Sequence, residues 1–95
     1  MRNPIHTKNF RKDYSKLEKS GNKNMDKLNK VLDLLIDGKY LDFKYKDHPL
    51  HGEFEGYRDC HIEGDWVLIY KIEQNKNGNE IIIFHATDNH SNLFR

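Results

Sequence analysis

The chain has 95 residues, a formal net charge of +1 and one cysteine. A chain this short buries only about 60–65% of its unfolded surface, so we expect one compact domain over residues 1–95. No apolar run reaches the roughly 20 residues of a membrane span, and MRNPIHTKNF lacks the apolar region of a secretory signal. Cys60 has no internal disulfide partner, which favours a reducing compartment. We therefore expect a cytoplasmic protein with no membrane partner.

The charges are divided unevenly along the chain. Residues 1–30 contain nine lysines and arginines against three acidic residues, whereas residues 31–95 contain seven against twelve. A basic first third indicates a surface that faces a polyanion. A solvated, lysine-rich helix face explains the same pattern, so charge alone leaves both interpretations open.

The first third predicts two amphipathic helices. Thr7 is placed to cap the first helix, on which Phe10, Tyr14 and Leu17 form one apolar stripe. After a short polar break, a second helix is predicted over about residues 24–37. Neither helix can bury its stripe alone, so the pair predicts a helical hairpin that covers another surface.

The covering surface is predicted downstream, where short apolar segments alternate with glycine-containing turns. The predicted strands are 54–57, 58–62, 66–72 and 80–86. Helices followed by such a meander predict an α+β fold, in which an N-terminal helical hairpin packs on a small antiparallel β-sheet.

Histidines in polar settings are the candidate chemical groups. Five of the six lie after residue 47, and three of them, His48, His61 and His90, occupy turn-like stretches. Imidazole titrates near neutral pH, so two histidines and a carboxylate can move a proton off one oxygen and onto another. Cleavage of RNA through its own 2′-hydroxyl needs both transfers, and it needs a cation such as Arg58 to stabilise the phosphorane.

Each of these residues also has a structural explanation. His48 precedes a proline and fits a turn, His61 fits an outward position on a strand, and Asp65 can simply open a strand. We interpret His51 and His85 as structural or solvated. The histidine spacings do not resemble a compact zinc motif, so we predict no metal and no cofactor.

The motifs, taken in chain order, resemble a known family. The chain carries YKDHPL at 45–50, GYRDCHI at 56–62, DWVLIY at 65–70 and HSNLF at 90–94. This series resembles the YafQ branch of the RelE-like toxins, essentially over residues 10–94. The resemblance implies the RelE-like microbial ribonuclease fold. It also implies a type II toxin, an endoribonuclease that cuts messenger RNA in the 30S decoding site of the ribosome and is silenced by a cognate antitoxin.

The resemblance further implies the active-site residues. The family's site carries over to His48, His61, Asp65, His90 and Phe94. Asp65 is expected to orient one imidazole across the turn that follows His61, and Phe94 to stack on or position a base. We assign His90 as the general acid of a metal-free cleavage.

The chain departs from the family in one segment. The family has an arginine four residues before its last histidine and a Gly-Ser or Gly-Thr pair directly before it, whereas this chain has Ala86 and Asp88-Asn89. A lost cation and an added carboxylate weaken a phosphate site. Either catalysis is slower, or neighbouring cations together replace the missing charge, namely Arg58, Lys44, Lys46 and Arg95.

Two further surfaces are expected. A basic helical face is predicted to contact ribosomal RNA through Lys8, Arg11, Lys12, Lys16, Lys19 and Lys23. The antitoxin is expected to lay an extended or helical segment across the hairpin and the sheet edge. The alternative function is a non-catalytic ribosome- or RNA-binding module regulated by a protein partner, and a pure protein-interaction domain is a third possibility.

Overall fold

A computed structural model describes residues 1–94 of the chain. Two helices, α1 (Lys8–Ser20) and α2 (Met25–Ile36), precede most of the sheet. The remaining elements are strands β1 (Asn3–His6), β2 (His48–Pro49), β3 (Arg58–Glu63), β4 (Trp66–Gln74) and β5 (Glu80–Asn89), and the short helix α3 (His90–Leu93). Among the described residues, no helix has the length and apolar character needed to cross a membrane.

The five strands form one mixed sheet in the order β1-β5-β4-β3-β2. Neighbours from β2 to β5 pair antiparallel, as predicted, but β1 pairs parallel to β5. The α+β class and the helical hairpin are therefore confirmed, whereas the purely antiparallel sheet is wrong. Strand β1 has no buried side chain. Strand β1 is defined by backbone hydrogen bonds to the outer edge of β5, so its sequence has no apolar pattern that predicts a strand.

The helix boundaries follow the predicted signals. The Thr7 side chain accepts a hydrogen bond of 3.0 Å from the Phe10 amide, which satisfies a free donor of the first turn of α1. Gly21 ends this helix in the left-handed conformation, with φ at 70°. The Asn24 side chain caps α2 in the same way as Thr7 caps α1.

The two helices cover one face of the sheet. Apolar side chains of α1 and α2, including Phe10 and Leu28, pack against Leu68, Tyr70 and Phe84 of the strands. Cys60 and Trp66 are also buried in this core. Because such large side chains leave water completely, this face supplies most of the hydrophobic stabilisation.

A loop and the C-terminal segment cover the opposite face. Residues 54–57 are not a strand, because a 3-10 turn, Gly52–Phe54, forms there and Gly52 and Gly56 adopt φ values of 69° and 92°. Phe54 instead packs edge-on against Phe94, at 5.6 Å between ring centroids, and near His85, at 6.1 Å. This second face carries the candidate site.

Candidate active site

Strand pairing brings two of the predicted histidines together. His48 of β2 lies directly opposite Asp59 of β3, and His61 lies two residues further along β3 on the same face. The ring centroids of the two histidines are 6.4 Å apart. The structure therefore brings these two candidate site residues together at the surface of the sheet.

Backbone carbonyls fix the ring orientation of both histidines. His48 Nδ1 lies 2.7 Å from the carbonyl oxygen of Lys46, and His61 Nδ1 lies 3.2 Å from that of Gly64. Because a carbonyl oxygen only accepts, Nδ1 is the protonated nitrogen in each neutral ring. The lone pair of Nε2 is then free to accept a proton, which suits a general base.

His90, which begins α3, and Phe94, which directly follows this helix, form a second part of the site. The His90 amide donates a hydrogen bond of 2.7 Å to the Asp65 carbonyl, which ties α3 to the turn between β3 and β4. The His90 and Phe94 rings lie 4.5 Å apart, and Phe94 also contacts Phe54. Phe94 is therefore placed to hold the His90 ring in position.

Asp65 is exposed and does not orient an imidazole through its side chain. Among residues 1–94, its carboxylate has no hydrogen bond or ion pair, and the Gly64 carbonyl occupies His61 Nδ1 instead. The predicted contact between Asp65 and His61 is thus absent from this structure. The geometry supports a different contribution from Asp65: its backbone carbonyl accepts the hydrogen bond that anchors His90.

The predicted phosphate-binding cations are not gathered around the histidines. Arg58 lies on the opposite face of β3, where its guanidinium donates to both oxygens of Asp47, each at 3.3 Å. The Tyr70 hydroxyl donates to the same carboxylate at 2.6 Å. Arg58 was expected to bind phosphate, but alternation along the strand turns it away and Asp47 neutralises it.

Lys44 and Lys46 also differ from their expected role. Lys44 Nζ lies 5.2 Å from the centre of the Tyr45 ring, toward the helical side of the molecule. Lys46 contributes its backbone carbonyl to His48, as described above. Arg95, the last predicted cation, lies outside the described residues.

The departures at positions 86 and 88 have structural roles. Ala86 is 2% exposed and lies in register with Ile69, which in turn lies opposite Asp59. The Asp88 carboxylate accepts hydrogen bonds from the Asn89 amide and the Asn92 side chain. Ala86 therefore fills the sheet face beside the site, and Asp88 secures the beginning of α3.

The predicted basic face lies mainly on α1. Its exposed side chains line a shallow surface that includes Lys8, Arg11, Lys12, Lys16 and Lys19. Lys23 lies elsewhere: its Nζ atom contacts Asn89 at 3.4 Å and lies 5.5 Å from the centre of the Trp66 ring. Lys23 thus belongs to the end of the sheet that carries α3.

Sequence reasoning missed Asp59. This side chain is 0% exposed, and neither carboxylate oxygen has a hydrogen-bond partner within the described part of the chain. Burial raises the pKa of the Asp59 carboxyl, while His48, His61 and His90 oppose that rise. The available signal was its position two residues before His61, which places both side chains on one strand face.

Residues 1–94 contain no group of three or more His, Cys, Asp or Glu side chains arranged to hold a metal ion. The absence of a metal from the reaction stays a prediction.

The fold and the site together define the class of protein. The helical hairpin packed on one face of a five-stranded sheet is the RelE-like toxin fold that the sequence predicted, and YafQ from E. coli has the same fold. Residues 2–95 match the family described as "Bacterial toxin of type II toxin-antitoxin system, YafQ". The chain belongs to this family.

Individual relatives support the assignment over nearly the whole chain. The mRNA interferase toxin YafQ of Escherichia coli strain K12 is 42% identical over 80 residues, which cover 83% of this chain and 82% of that protein. YafQ in the crystal structure of the E. coli DinJ-YafQ complex has 38% identity, a TM-score of 0.84 and full coverage of both chains, 100% each. A metal-bound toxin from Helicobacter pylori has 36% identity, a TM-score of 0.85 and coverage of 99% of this chain and 100% of that one.

Proposed function

We propose that this toxin is a ribosome-dependent mRNA endoribonuclease that cuts RNA by acid-base catalysis through the 2′-hydroxyl, with no metal in the reaction. The observation that carries the proposal is the facing pair His48 and His61, in which both Nδ1 atoms are bound to carbonyls and neither Nε2 atom has a hydrogen-bond partner among residues 1–94. The E. coli relative is named an mRNA interferase, which fits a site built for proton transfer.

The reaction needs two proton transfers. Nε2 of His48 or His61 takes the proton from the 2′-hydroxyl, and the resulting oxyanion attacks the adjacent phosphorus. The bond to the 5′-oxygen of the downstream nucleotide breaks, and His90 donates a proton to that leaving oxygen. The upstream fragment ends in a 2′,3′-cyclic phosphate. No water enters this step, and no electron is transferred to or from a cofactor.

Negative charge develops on the phosphorane as the new bond forms. Arg58 is paired with Asp47, and Ala86 replaces the arginine that the family resemblance led us to expect. We therefore assign the charge stabilisation mainly to imidazolium forms of the site histidines. Phe94, which packs on His90, positions the histidine and stacks on or positions a base.

Two partners complete the proposal. The exposed basic side chains of α1 face ribosomal RNA, because a row of cations on one helix matches a phosphate backbone. A cognate antitoxin inhibits the toxin by binding it. The E. coli relative matches this chain over its whole length and is found in a complex with DinJ, which supports an antitoxin as the second partner.

A message modified at a single nucleotide tests the chemistry. Replacement of the 2′-hydroxyl at the mapped cut site by methoxy removes the nucleophile, so ribosome-bound message should remain intact. A methoxy group two nucleotides away is the matched control and should leave cleavage unchanged. Continued cutting of the first message would refute attack by the 2′-oxygen and favour an activated water. Growth arrest with intact messages would favour the non-catalytic ribosome-binding alternative.

A further inference from the structure

The buried carboxylate beneath the histidines has no role in the reaction as described so far. Asp59 is completely inaccessible to solvent, and its two oxygens lack hydrogen-bond partners among residues 1–94. A charged carboxylate is costly to bury alone, so proteins rarely retain one without compensation. The position of Asp59 therefore calls for a partner that is charged at least part of the time.

The available partners are the site histidines. Asp59 is directly opposite His48 across the β2–β3 pair, where facing Cβ atoms lie about 5 Å apart. It shares a strand face with His61, two residues away. The charges that act on Asp59 are those of His48, His61 and His90, which favour its ionised form, and that of Asp47, which opposes it.

The cross-strand partners of Asp59 on the side away from His48 are apolar. Ile69 lies directly opposite it on β4, and Ala86 lies in the same row on β5. Ile69 is 0% exposed and Ala86 is 2% exposed, so this side of the carboxylate is sealed from water. A negative charge on Asp59 therefore gains no solvation from this side, which leaves the nearby imidazoles as the groups that can compensate it.

We propose that Asp59 is a positioning residue, a buried counter-charge that keeps one imidazole of the site protonated and stabilises the imidazolium that forms during cleavage. Stabilisation of the imidazolium during cleavage rests on the proposed function. The protonation of one imidazole concerns only the resting protein. A charged ring beside the carboxylate compensates its buried charge, so ionisation of Asp59 is coupled to protonation of a ring.

Nuclear magnetic resonance tests the resting protein without RNA. In D59N, which preserves side-chain volume and removes the charge, at least one of the three site imidazoles should titrate at a pH lower by about one unit. D33N, which neutralises an exposed carboxylate on α2, is the matched control and should leave every histidine titration unchanged. Titrations of His48, His61 and His90 that are the same in D59N and in the wild-type protein would overturn the proposal.

A measurement on the wild-type protein avoids any dependence on the folding of D59N. The carboxyl carbon resonance of Asp59 should change over the pH range in which the site histidines titrate. A single independent transition near the ordinary value of 3.8 would overturn the proposal. In cleavage assays, the basic limb of the pH-rate profile that reports the general acid should move to lower pH in D59N. If the wild-type protein cleaves no message but the Asp59 resonance changes together with the histidines, the nuclease function is refuted and the counter-charge role of Asp59 stands.

Discussion

His48 Nδ1 donates a hydrogen bond of 2.7 Å to the carbonyl oxygen of Lys46, whose φ is 50°. Lys46 is the only residue other than glycine with a positive φ in the described chain. Left-handed backbone costs an ordinary side chain about 1–2 kcal/mol, so strain at Lys46 aims the carbonyl that orients the proposed base.

Lys46→Gly separates the role of the backbone from that of the charge. Glycine adopts a positive φ freely, so the variant should keep the cleavage rate and gain up to about 1 kcal/mol of stability. Lys46→Val should lose about 1–2 kcal/mol and part of the rate, because a β-branched residue resists this conformation. Thermal melts and single-turnover rates measure both effects. A large loss of rate in Lys46→Gly would restore the cationic role first assigned to Lys46.

Single alanine substitutions test the proton transfers. His48→Ala, His61→Ala and His90→Ala should each lower the cleavage rate by roughly 10²–10⁴ with little change in melting temperature. His51→Ala is the matched control, since His51 is exposed and belongs to no part of the proposed site. Equal rates in a site variant and the control would remove that histidine from the mechanism.

Arg58 distinguishes an internal ion pair from a phosphate ligand. Its bonds to Asp47 are partly exposed, so Arg58→Gln should cost only about 1 kcal/mol of stability. The cleavage rate of the folded variant should stay within a few-fold of wild type. If the rate instead falls 10²-fold or more at unchanged stability, the guanidinium contacts the transition state and the pairing with Asp47 is broken on the ribosome.

Charge reversal on α1 tests the ribosomal surface. The triple variant Lys12→Glu, Lys16→Glu, Lys19→Glu should weaken ribosome binding and reduce the salt dependence of the binding constant by roughly one unit of log-log slope per lost contact. Lys39→Glu, exposed beyond the end of α2, provides the control. Unchanged affinity and slope in the triple variant would exclude α1 as the contact.

Asp59 also makes stability depend on pH. Its folded pKa lies above its ordinary value of 3.8, so between these two values the folded state binds more protons than the unfolded chain. Stability should therefore fall as pH rises from 3.8 through the folded pKa. Asp59→Asn should remove that fall and be more stable than wild type at neutral pH, as chemical denaturation at several pH values can measure. If stability depends on pH in the same way in both proteins, burial does not raise the pKa of Asp59.

The helices were predictable because their signals are local. The Thr7 cap, the apolar stripe of α1 and the polar break before α2 all lie within a few residues of the structure that they define. Strand β1 was not predictable in this way, since its parallel partner begins at Ile81, in the last quarter of the chain. Residues 54–57 looked like a strand because aromatic content outweighed Gly52 before the segment and Gly56 within it.

His48 and His61 were singled out by their polar settings and assigned to the active site by the family resemblance, and the geometry added what spacing does not contain. Gly64 and Lys46 act on the imidazoles through carbonyl groups, which are the same for every residue type. Asp59 is distant from His48 in sequence and reaches it only through the pairing of β2 with β3. Arg58 was misplaced because a strand turns successive side chains to opposite faces, and no local feature states which face carries the site.

Both edges of the sheet contain a proline. Pro4 lies in the outer strand β1, and Pro49 forms half of the two-residue strand β2 at the other edge. Proline has no amide hydrogen to offer an incoming strand, so neither edge can extend the sheet through an uninterrupted ladder. When free of its antitoxin, the toxin is therefore expected to stay dispersed rather than assemble edge to edge with its own copies.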